Sequence, residues 1–407
     1  MEFFWGLGFP VLIESTFLQL LLKHLGAGDF LIGLVPAILL AGISLLPLFS
    51  SYLTRNHERK RPLVLGLHVV SSFAVLAFGI FLFGVRDQAL ILPVFFISYV
   101  VFSACIGLTF PVWLNFLVKI FSPTRSVQGL AIMYAAQNCS KIISSLFIIK
   151  VVASYSFSLV SAAWIFLTAG LFFLSGSFCF LLTRELPATE PMPPSGVTFF
   201  RHTRNGISDI IRNKNLLKYM AGDMDHYIVL TVISFYANYA TQYFGIPNYA
   251  AAGLFVSFIY SGAILANIAL GTLNLLSFKQ KYLSTKICAL IVLIVLTAAP
   301  MLPGFLLASM LMGFCRGTRS IIYSPAVKQF SNKVDATSHF AIMPLLTLGF
   351  GCGFPLFFGH MLERLNHLGA GAYQIMFGVC GLCVVLSLVI GVFVDFSPSS
   401  LPTHSHS

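Results

Sequence analysis

The chain has 407 residues, of which 57% are hydrophobic and only 9% are charged. Soluble domains carry about 25% charged residues, so this chain has too little polar surface to cover a water-soluble body. The composition therefore excludes a soluble enzyme, a disordered chain and a disulfide scaffold. It also argues against an outer-membrane barrel, whose strands would alternate polar and apolar residues, because the apolar runs here are long and continuous.

The apolar runs predict membrane-spanning helices. A bilayer-spanning helix needs about 20 apolar residues. The chain contains twelve runs of this kind, at residues 3–23, 30–53, 63–84, 89–117, 127–150, 157–182, 217–241, 248–273, 283–301, 303–325, 338–360 and 371–394. We therefore predict an all-α polytopic membrane protein with 12 transmembrane helices.

The longest interruption, at residues 183–216, divides the runs into six and six. Its first part contains four prolines, which exclude a regular helix there. A basic amphipathic segment follows, with Ile207, Ile210 and Ile211 predicted on one face. This segment is either an interfacial helix on the membrane surface or an ordinary solvated linker. The predicted organisation is a bundle at 1–182, a cytoplasmic linker at 183–216, a second bundle at 217–395 and a cytoplasmic tail at 396–407.

The net charge of +11 comes from 24 Lys and Arg residues against 13 Asp and Glu. Alternate loops assign most of the basic residues to one side of the membrane, which the positive-inside rule makes cytoplasmic, with both termini inside. That side carries 16 of them: Arg55, Arg59, Lys60, Arg61, Lys119, Arg125, Arg184, Arg201, Arg204, Arg212, Lys214, Lys218, Lys279, Lys281, Lys328 and Lys333. The other side carries 4: Lys23, Arg86, Lys150 and Arg364. This distribution explains the positive charge without a nucleic-acid partner.

The loop after the second run resembles a signature of the major facilitator superfamily, G-x-x-x-D-R-x-G-R-K. Arg55 and the basic residues from Arg59 onwards match it, whereas Ser50, Thr54 and His57 stand at the Gly, Asp and second Gly positions. Four further segments resemble a bacterial branch of that superfamily whose substrates are poorly defined, at residues 25–34, 111–113, 235–240 and 355–359.

The resemblance implies two pseudo-symmetric six-helix bundles in the cytoplasmic (inner) membrane. It also implies a secondary active transporter in which the bundles rock about a site near the bilayer midplane. We expect a small-molecule substrate, proton coupling, the lipid bilayer as surroundings and a monomer. The chain has no Walker sequence, zinc helix or nucleophile elbow, so we expect no enzymatic activity, no cofactor and no metal. A non-transporting membrane sensor or assembly partner with the same fold remains the alternative.

Ionisable residues inside the runs are costly in a bilayer, so each one is informative. Glu14 lies about 18 Å and Lys141 about 21 Å from the cytoplasmic ends of their runs, which predicts an interaction between them. Lys141 belongs to a polar stripe with Tyr134, Gln137 and Asn138 at helical spacing. This stripe is either a proton or substrate site, or a static pair that fixes helix packing.

The seventh run contains Asp223 and Asp225, which point to nearly opposite sides of a helix because they are two residues apart. Asp223 shares a polar stripe with Tyr227, and His226 lies beside it. We expect Asp223 to face the cavity and Asp225 to meet a neighbouring helix. The proton-coupling candidates are therefore Glu14, Asp223, Asp225 and His226.

The tenth run carries Arg316 and Arg319, three residues apart and so on one face. Asp223 and Arg319 are both about 9 Å from the cytoplasmic end, which predicts that they pair. Asp225 at about 12 Å and Arg316 at about 14 Å are the alternative pair. Either pair is open to interpretation as ion-coupled substrate binding, as an internal gate, or as static structure.

The remaining site candidates are grouped by expected role. The substrate-cavity candidates are Lys141, Gln137, Asn138, Tyr134, Arg316, Tyr227, Tyr236, Tyr260 and Asn267. The gating candidates are Arg55, Arg59, Asp223 and Arg319.

Overall fold

The computed structural model describes residues 1–13, 16–54, 59–85, 87–120, 126–155, 158–184, 199–331 and 337–396. Within these ranges the regular secondary structure is all helical, joined by short turns and loops, and there is no β-strand. Eleven helical segments in them are long and apolar enough to cross a membrane. The predicted all-α polytopic fold is confirmed.

The helices form two sets, separated by the helix of the linker. The first set is α1 (Glu2–Leu12), α2 (Thr16–His24), α3 (Asp29–Thr54), α4 (Arg61–Gly84), α5 (Ile91–Ile120), α6 (Ser126–Tyr155) and α7 (Leu159–Phe178). The linker helix is α8 (Phe199–Arg212). The second set is α9 (Lys214–Gly222), α10 (Met224–Tyr243), α11 (Phe255–Ala266), α12 (Phe278–Ala298), α13 (Leu302–Ser331), α14 (Thr337–Leu346), α15 (Leu348–Arg364) and α16 (Ala370–Val392).

The seventh predicted run corresponds to α9 and α10, which are not among the eleven apolar segments. The helix is interrupted at Asp223, and α10 carries Asp225, His226 and several tyrosines, so its hydropathy is low. Most of α10 is nevertheless buried against other helices of the protein. Neighbouring protein therefore replaces lipid around this segment, and α9 with α10 taken as one crossing would bring the total to twelve.

The two sets repeat the same helix pairings. In the first half α4 packs against α7 and α3 packs against α5, and in the second half α12 packs against α16 and α11 packs against α13. Glycines allow the second kind of contact in both halves: Gly107 lies against the Gly42 carbonyl, and Gly313 lies against the Ile259 carbonyl. Small residues at helix contacts let backbones approach closely, which is the usual way of packing helices in membranes.

We call the end of the bundle that carries α8 the linker end, and the opposite end the far end. The two halves meet closely near the far end. The Thr16 hydroxyl of α2 donates to the Ala251 carbonyl at 2.6 Å, and the Phe30 amide of α3 donates to Glu363 Oε1 of α15 at 3.0 Å. Both bonds cross between the halves, so the far end is closed by polar contacts as well as by packing.

The linker helix α8 buries only part of the face that carries its isoleucines. Ile207, Ile210 and Ile211 lie within about 100° of one another around the helix, so they share one face as predicted. Ile210 is fully buried against the protein, whereas Ile211 is 54% exposed. The protein therefore covers one edge of this face and leaves the other edge open.

A glycine substitution tests the close packing of α11 on α13. A Cβ at position 313 would collide with the Ile259 backbone, so we expect Gly313→Ala to destabilise the protein by about 1–3 kcal/mol through overpacking. Gly349 of α15 has open space around it and is the matched control, where alanine should leave stability unchanged or slightly raised. Thermal unfolding of both purified variants in detergent measures the difference, and equal effects would contradict the contact.

Candidate functional site

Two groups of side chains surround charged residues in the interior of the bundle. The first, which we call the Lys141 group, contains Lys141, Gln137, Glu2, Phe9 and Tyr260. The second, which we call the carboxylate group, contains Asp223, Asp225, Arg319 and Lys286. The first lies where the two halves meet, and the second lies within the second half.

Lys141 of α6 contacts one aromatic ring from each half. Its Nζ lies 5.2 Å from the ring centroid of Phe9 on α1 and 5.0 Å from that of Tyr260 on α11. An ammonium group within about 6 Å of a ring face is attracted by the electrons of the ring. Lys141 therefore links α1 and α6 of the first half to α11 of the second half, and the side chain is only half-buried.

Glu2 is the acidic residue that the sequence did not single out. Gln137 lies one turn before Lys141 on α6, and its amide donates a hydrogen bond to Glu2 Oε2. The Glu2 side chain is buried. The approach is possible because Gly6 of α1 lies directly against Ser140 of α6. Within the ranges that the structure describes, no carboxylate forms an ion pair with Lys141.

Two of the predicted site residues, Glu14 and Arg55, lie outside the described residues, so the Glu14–Lys141 interaction stays a prediction. Arg59, the second gating candidate in the loop after α3, is described and exposed.

The backbone is interrupted at Asp223, between α9 and α10. Side chains of other helices bind two carbonyls near this break. Ser387 of α16 donates to the Gly222 carbonyl at 2.7 Å, and the Tyr282 hydroxyl of α12 donates to the Tyr219 carbonyl at 2.9 Å. Irregular backbone at membrane depth is tolerated where protein groups satisfy it, and such breaks mark binding sites in many transporters.

Asp223 pairs with Arg319 of α13, which is the contact predicted from their equal depth. Arg319 Nε and Nη2 each lie 2.8 Å from Asp223 Oδ2, and the guanidinium lies 4.4 Å above the ring of Tyr323. The Asp223 and Arg319 side chains are 9% and 20% exposed, so the arginine side of the pair is the more accessible one.

Asp225 lies in a closed set of contacts on the other side of α10. It pairs with Lys286 of α12 at 3.0 Å and accepts hydrogen bonds from Thr285 at 2.8 Å and Ser387 at 3.3 Å. The Asp225 and Lys286 side chains are 3% and 0% exposed. The expectation that Asp225 meets a neighbouring helix is confirmed, whereas the alternative pair Asp225–Arg316 is wrong because Lys286 occupies that position.

Other substrate-cavity candidates lie in differing surroundings. Tyr236 is fully buried inside the second half, with its hydroxyl 2.9 Å from that of Ser309, so it packs helices together there. The Tyr227 hydroxyl lies 2.7 Å from that of Thr347, at the interruption between α14 and α15. Arg316, Asn138, Asn267 and His226 are half-buried, and Tyr134 is 47% exposed.

Lys286 could have been found from the sequence by the same depth rule that found Arg319. If the helix started at residue 283 as predicted, Lys286 would lie only about 4.5 Å from the cytoplasmic end, whereas Asp225 lies about 12 Å from it. The helix in fact begins at Phe278, with a cap from Ser277, which moves Lys286 to about 12 Å. The predicted boundary was five residues too late, and this placed Lys286 too close to the membrane surface to be considered as a partner of Asp225.

Substitutions of Asp223 and Asp225 should differ in their effects on folding stability. Asp225→Asn leaves Lys286 as a sealed, uncompensated charge, so we expect a loss of about 3–5 kcal/mol of folding free energy. Asp223→Asn should cost clearly less, because the Arg319 side chain is 20% exposed whereas the Lys286 side chain is 0% exposed. Thermal unfolding in detergent measures both. Replacing both partners, in Asp225→Leu with Lys286→Met, should recover most of the lost stability; if it does not, the loss does not come from the unpaired charge.

The comparisons with known proteins agree with this architecture. The family model of the Major Facilitator Superfamily matches residues 9–330. No curated protein matches the chain. Among solved structures the chain is similar to the nucleoside transporter NupG, at 14% identity and a TM-score of 0.71, covering 96% of this chain and 98% of that one.

Two further solved transporters show the same likeness. An auto-inhibited POT family peptide transporter matches at 13% identity and a TM-score of 0.73, covering 98% of this chain and 96% of that one. A bacterial homologue of the human lysosomal transporter Spinster matches at 12% identity and a TM-score of 0.63, covering 98% and 97%. At these identities the structures show a shared fold only, whereas the family model spans most of the chain. The chain belongs to the Major Facilitator Superfamily.

Proposed function

We propose that this protein is a secondary active transporter that moves a small molecule across the cytoplasmic membrane by alternating access, driven by proton movement. The observation that carries the proposal is the position of Lys141, whose ammonium group contacts Phe9 of the first half and Tyr260 of the second half. A cation at membrane depth is costly in free energy, so such a residue usually marks a functional site. In this fold the space between the halves is where substrates bind.

The two aromatic contacts of Lys141 should behave differently when the two halves move against each other. Phe9 lies in the same half as Lys141, so that contact persists when the halves rock against each other. Tyr260 lies in the other half, so that contact changes with each cycle. A substrate bound at Lys141 therefore interacts differently with the protein in the two states, which is what a ligand needs in order to bias a conformational equilibrium.

Asp223 is the proposed proton-binding group. Protonation removes its negative charge and with it the ion pair to Arg319, whose side chain is already 20% exposed. The pair lies at an interruption in the helix, where a change of charge can be accompanied by a change of backbone angle. Asp225 is unsuited to this role, because Lys286, Thr285 and Ser387 enclose it.

For orientation and assembly we keep the expectations from the sequence. The side of the membrane assigned 16 basic residues is the side of the linker, so we propose that the linker end faces the cytoplasm with both termini and that the protein works as a monomer. The similar solved structures include a nucleoside transporter and a peptide transporter, so nucleosides and peptides form the first panel of compounds to test here.

Removal of the Lys141 charge should abolish transport. Proteoliposomes with an imposed pH gradient are tested for uptake of nucleosides and dipeptides, and uptake by Lys141→Gln should fall at least about 10-fold, the effect of losing about 1.4 kcal/mol of binding. Lys150→Gln is the matched control, because Lys150 lies on the same helix and is exposed. Full uptake by Lys141→Gln contradicts the site. No uptake of any compound by the parent protein, with no ligand-induced stabilisation, favours a non-transporting sensor.

The loss of the Asp223 charge should uncouple transport from protons. In Asp223→Asn we expect exchange of labelled for unlabelled substrate across the membrane to continue, because exchange needs no net proton movement. Accumulation driven by the pH gradient should disappear. Both rates are measured in the same proteoliposomes, and Asp223→Glu should keep accumulation. Gradient-driven accumulation by Asp223→Asn at the parent rate would assign proton binding to another group.

A further inference from the structure

The linker helix α8 has one face docked on the protein. Phe199 stacks on Phe49 of α3 with ring centroids 5.2 Å apart, and Gly206 lies against Ile342 of α14. Ile210 is fully buried in the same contact. The docked face therefore touches α3 of the first half and α14 of the second half.

These contacts set the level of α8 relative to the bilayer. The apolar run 30–53, which forms most of α3, ends shortly after Phe49, and the apolar run 338–360 begins shortly before Ile342. The helix thus lies where spans leave the hydrocarbon region. That level is the headgroup region of the bilayer.

A second edge of α8 is apolar and uncovered. Phe200 is 81% exposed and Ile211 is 54% exposed. The two residues are eleven positions apart, which brings them to within about 20° of each other around the helix. Phe200 and Ile211, with the half-buried Ile207 between them, therefore form an apolar stripe along one edge of α8.

Cationic side chains border this stripe on one side. Arg204, Arg201 and Arg212 are exposed and lie about 40°, 100° and 120° around the helix from Phe200. Asp209 lies about 180° from Phe200, on the opposite side. A helix at the interface with an apolar edge and adjacent arginines has the arrangement that inserts its apolar edge among acyl chains and places its cations at phosphates.

We propose that α8 is a binding site for anionic phospholipid headgroups, in which Phe200 and Ile211 enter the acyl region and Arg201, Arg204 and Arg212 bind the headgroup charge. The complementarity of charge selects anionic over zwitterionic lipid, since each basic residue near a membrane surface contributes about a fivefold preference for anionic lipid. The bilayer itself covers the exposed stripe. Because α8 touches both halves, the bound lipids lie against the point where the halves meet at the linker end.

A tryptophan at position 200 reports both depth and lipid selectivity. The full-length Phe200→Trp protein is placed in bilayers that contain brominated phosphatidylcholine or, at the same mole fraction, brominated phosphatidylglycerol. The parent protein, with its three tryptophans, supplies the background emission. We expect brominated phosphatidylglycerol to quench the added emission at least about threefold more than brominated phosphatidylcholine.

The charge variants decide the cause of the selectivity. In Phe200→Trp with Arg201→Gln, Arg204→Gln and Arg212→Gln, the two lipids should quench equally. The matched control replaces three exposed basic residues of the same end that lie outside α8, Arg184, Lys214 and Lys218, and should keep the difference.

Two outcomes overturn the proposal. Equal quenching by both lipids in Phe200→Trp shows that the headgroups are not selected. Absence of quenching by either shows that the stripe does not reach the acyl chains. Unchanged melting temperatures across the set exclude misfolding as the cause of a lost difference.

Discussion

A charge enclosed between helices in a bilayer has to be met where it lies, and this constraint determines the second half of the protein. Asp225 of α10 is met by Lys286 of α12 and by Ser387 of α16, so one carboxylate joins three helices. Removing one partner of a buried pair is far more destabilising than never having built the pair. These three helices are therefore held together as one unit. Asp223, which is more accessible than Asp225, takes no part in these contacts.

The interruptions of the helices lie next to one another, and they depend on the same satisfaction of polar groups. Gly222 at the first break receives a hydrogen bond from Ser387, which also donates to Asp225. Thr347 at the second break lies 2.7 Å from the Tyr227 hydroxyl, one turn beyond Asp223. A side chain thus binds a backbone carbonyl at each break, Ser387 at Gly222 and Thr347 at Met343, which satisfies polar backbone groups where the helices are irregular.

The sequence alone predicted the features that depend only on position along the chain. Apolar length gave the spans, and equal depth gave the Asp223–Arg319 pair. The depth rule failed for Lys286 because it relies on knowing where a helix begins, and Phe278 starts the helix earlier than hydropathy indicates. Glu2 was missed because its burial comes from the approach of α1 to α6, which no local pattern encodes. The apolar pattern of α8 likewise did not show which of its residues pack against the protein, because that depends on how α8 approaches α3 and α14.

The contacts of the two interior groups differ in whether they cross between the halves, and the roles proposed for them depend on that difference. Asp225–Lys286 and Asp223–Arg319 both lie within the second half, so a rigid rocking motion leaves both unchanged. Lys141–Tyr260 crosses, so the same motion must break it. A proton on Asp223 can therefore affect the cycle only through a change inside the second half, and the break in the helix at that residue is what makes such a change possible.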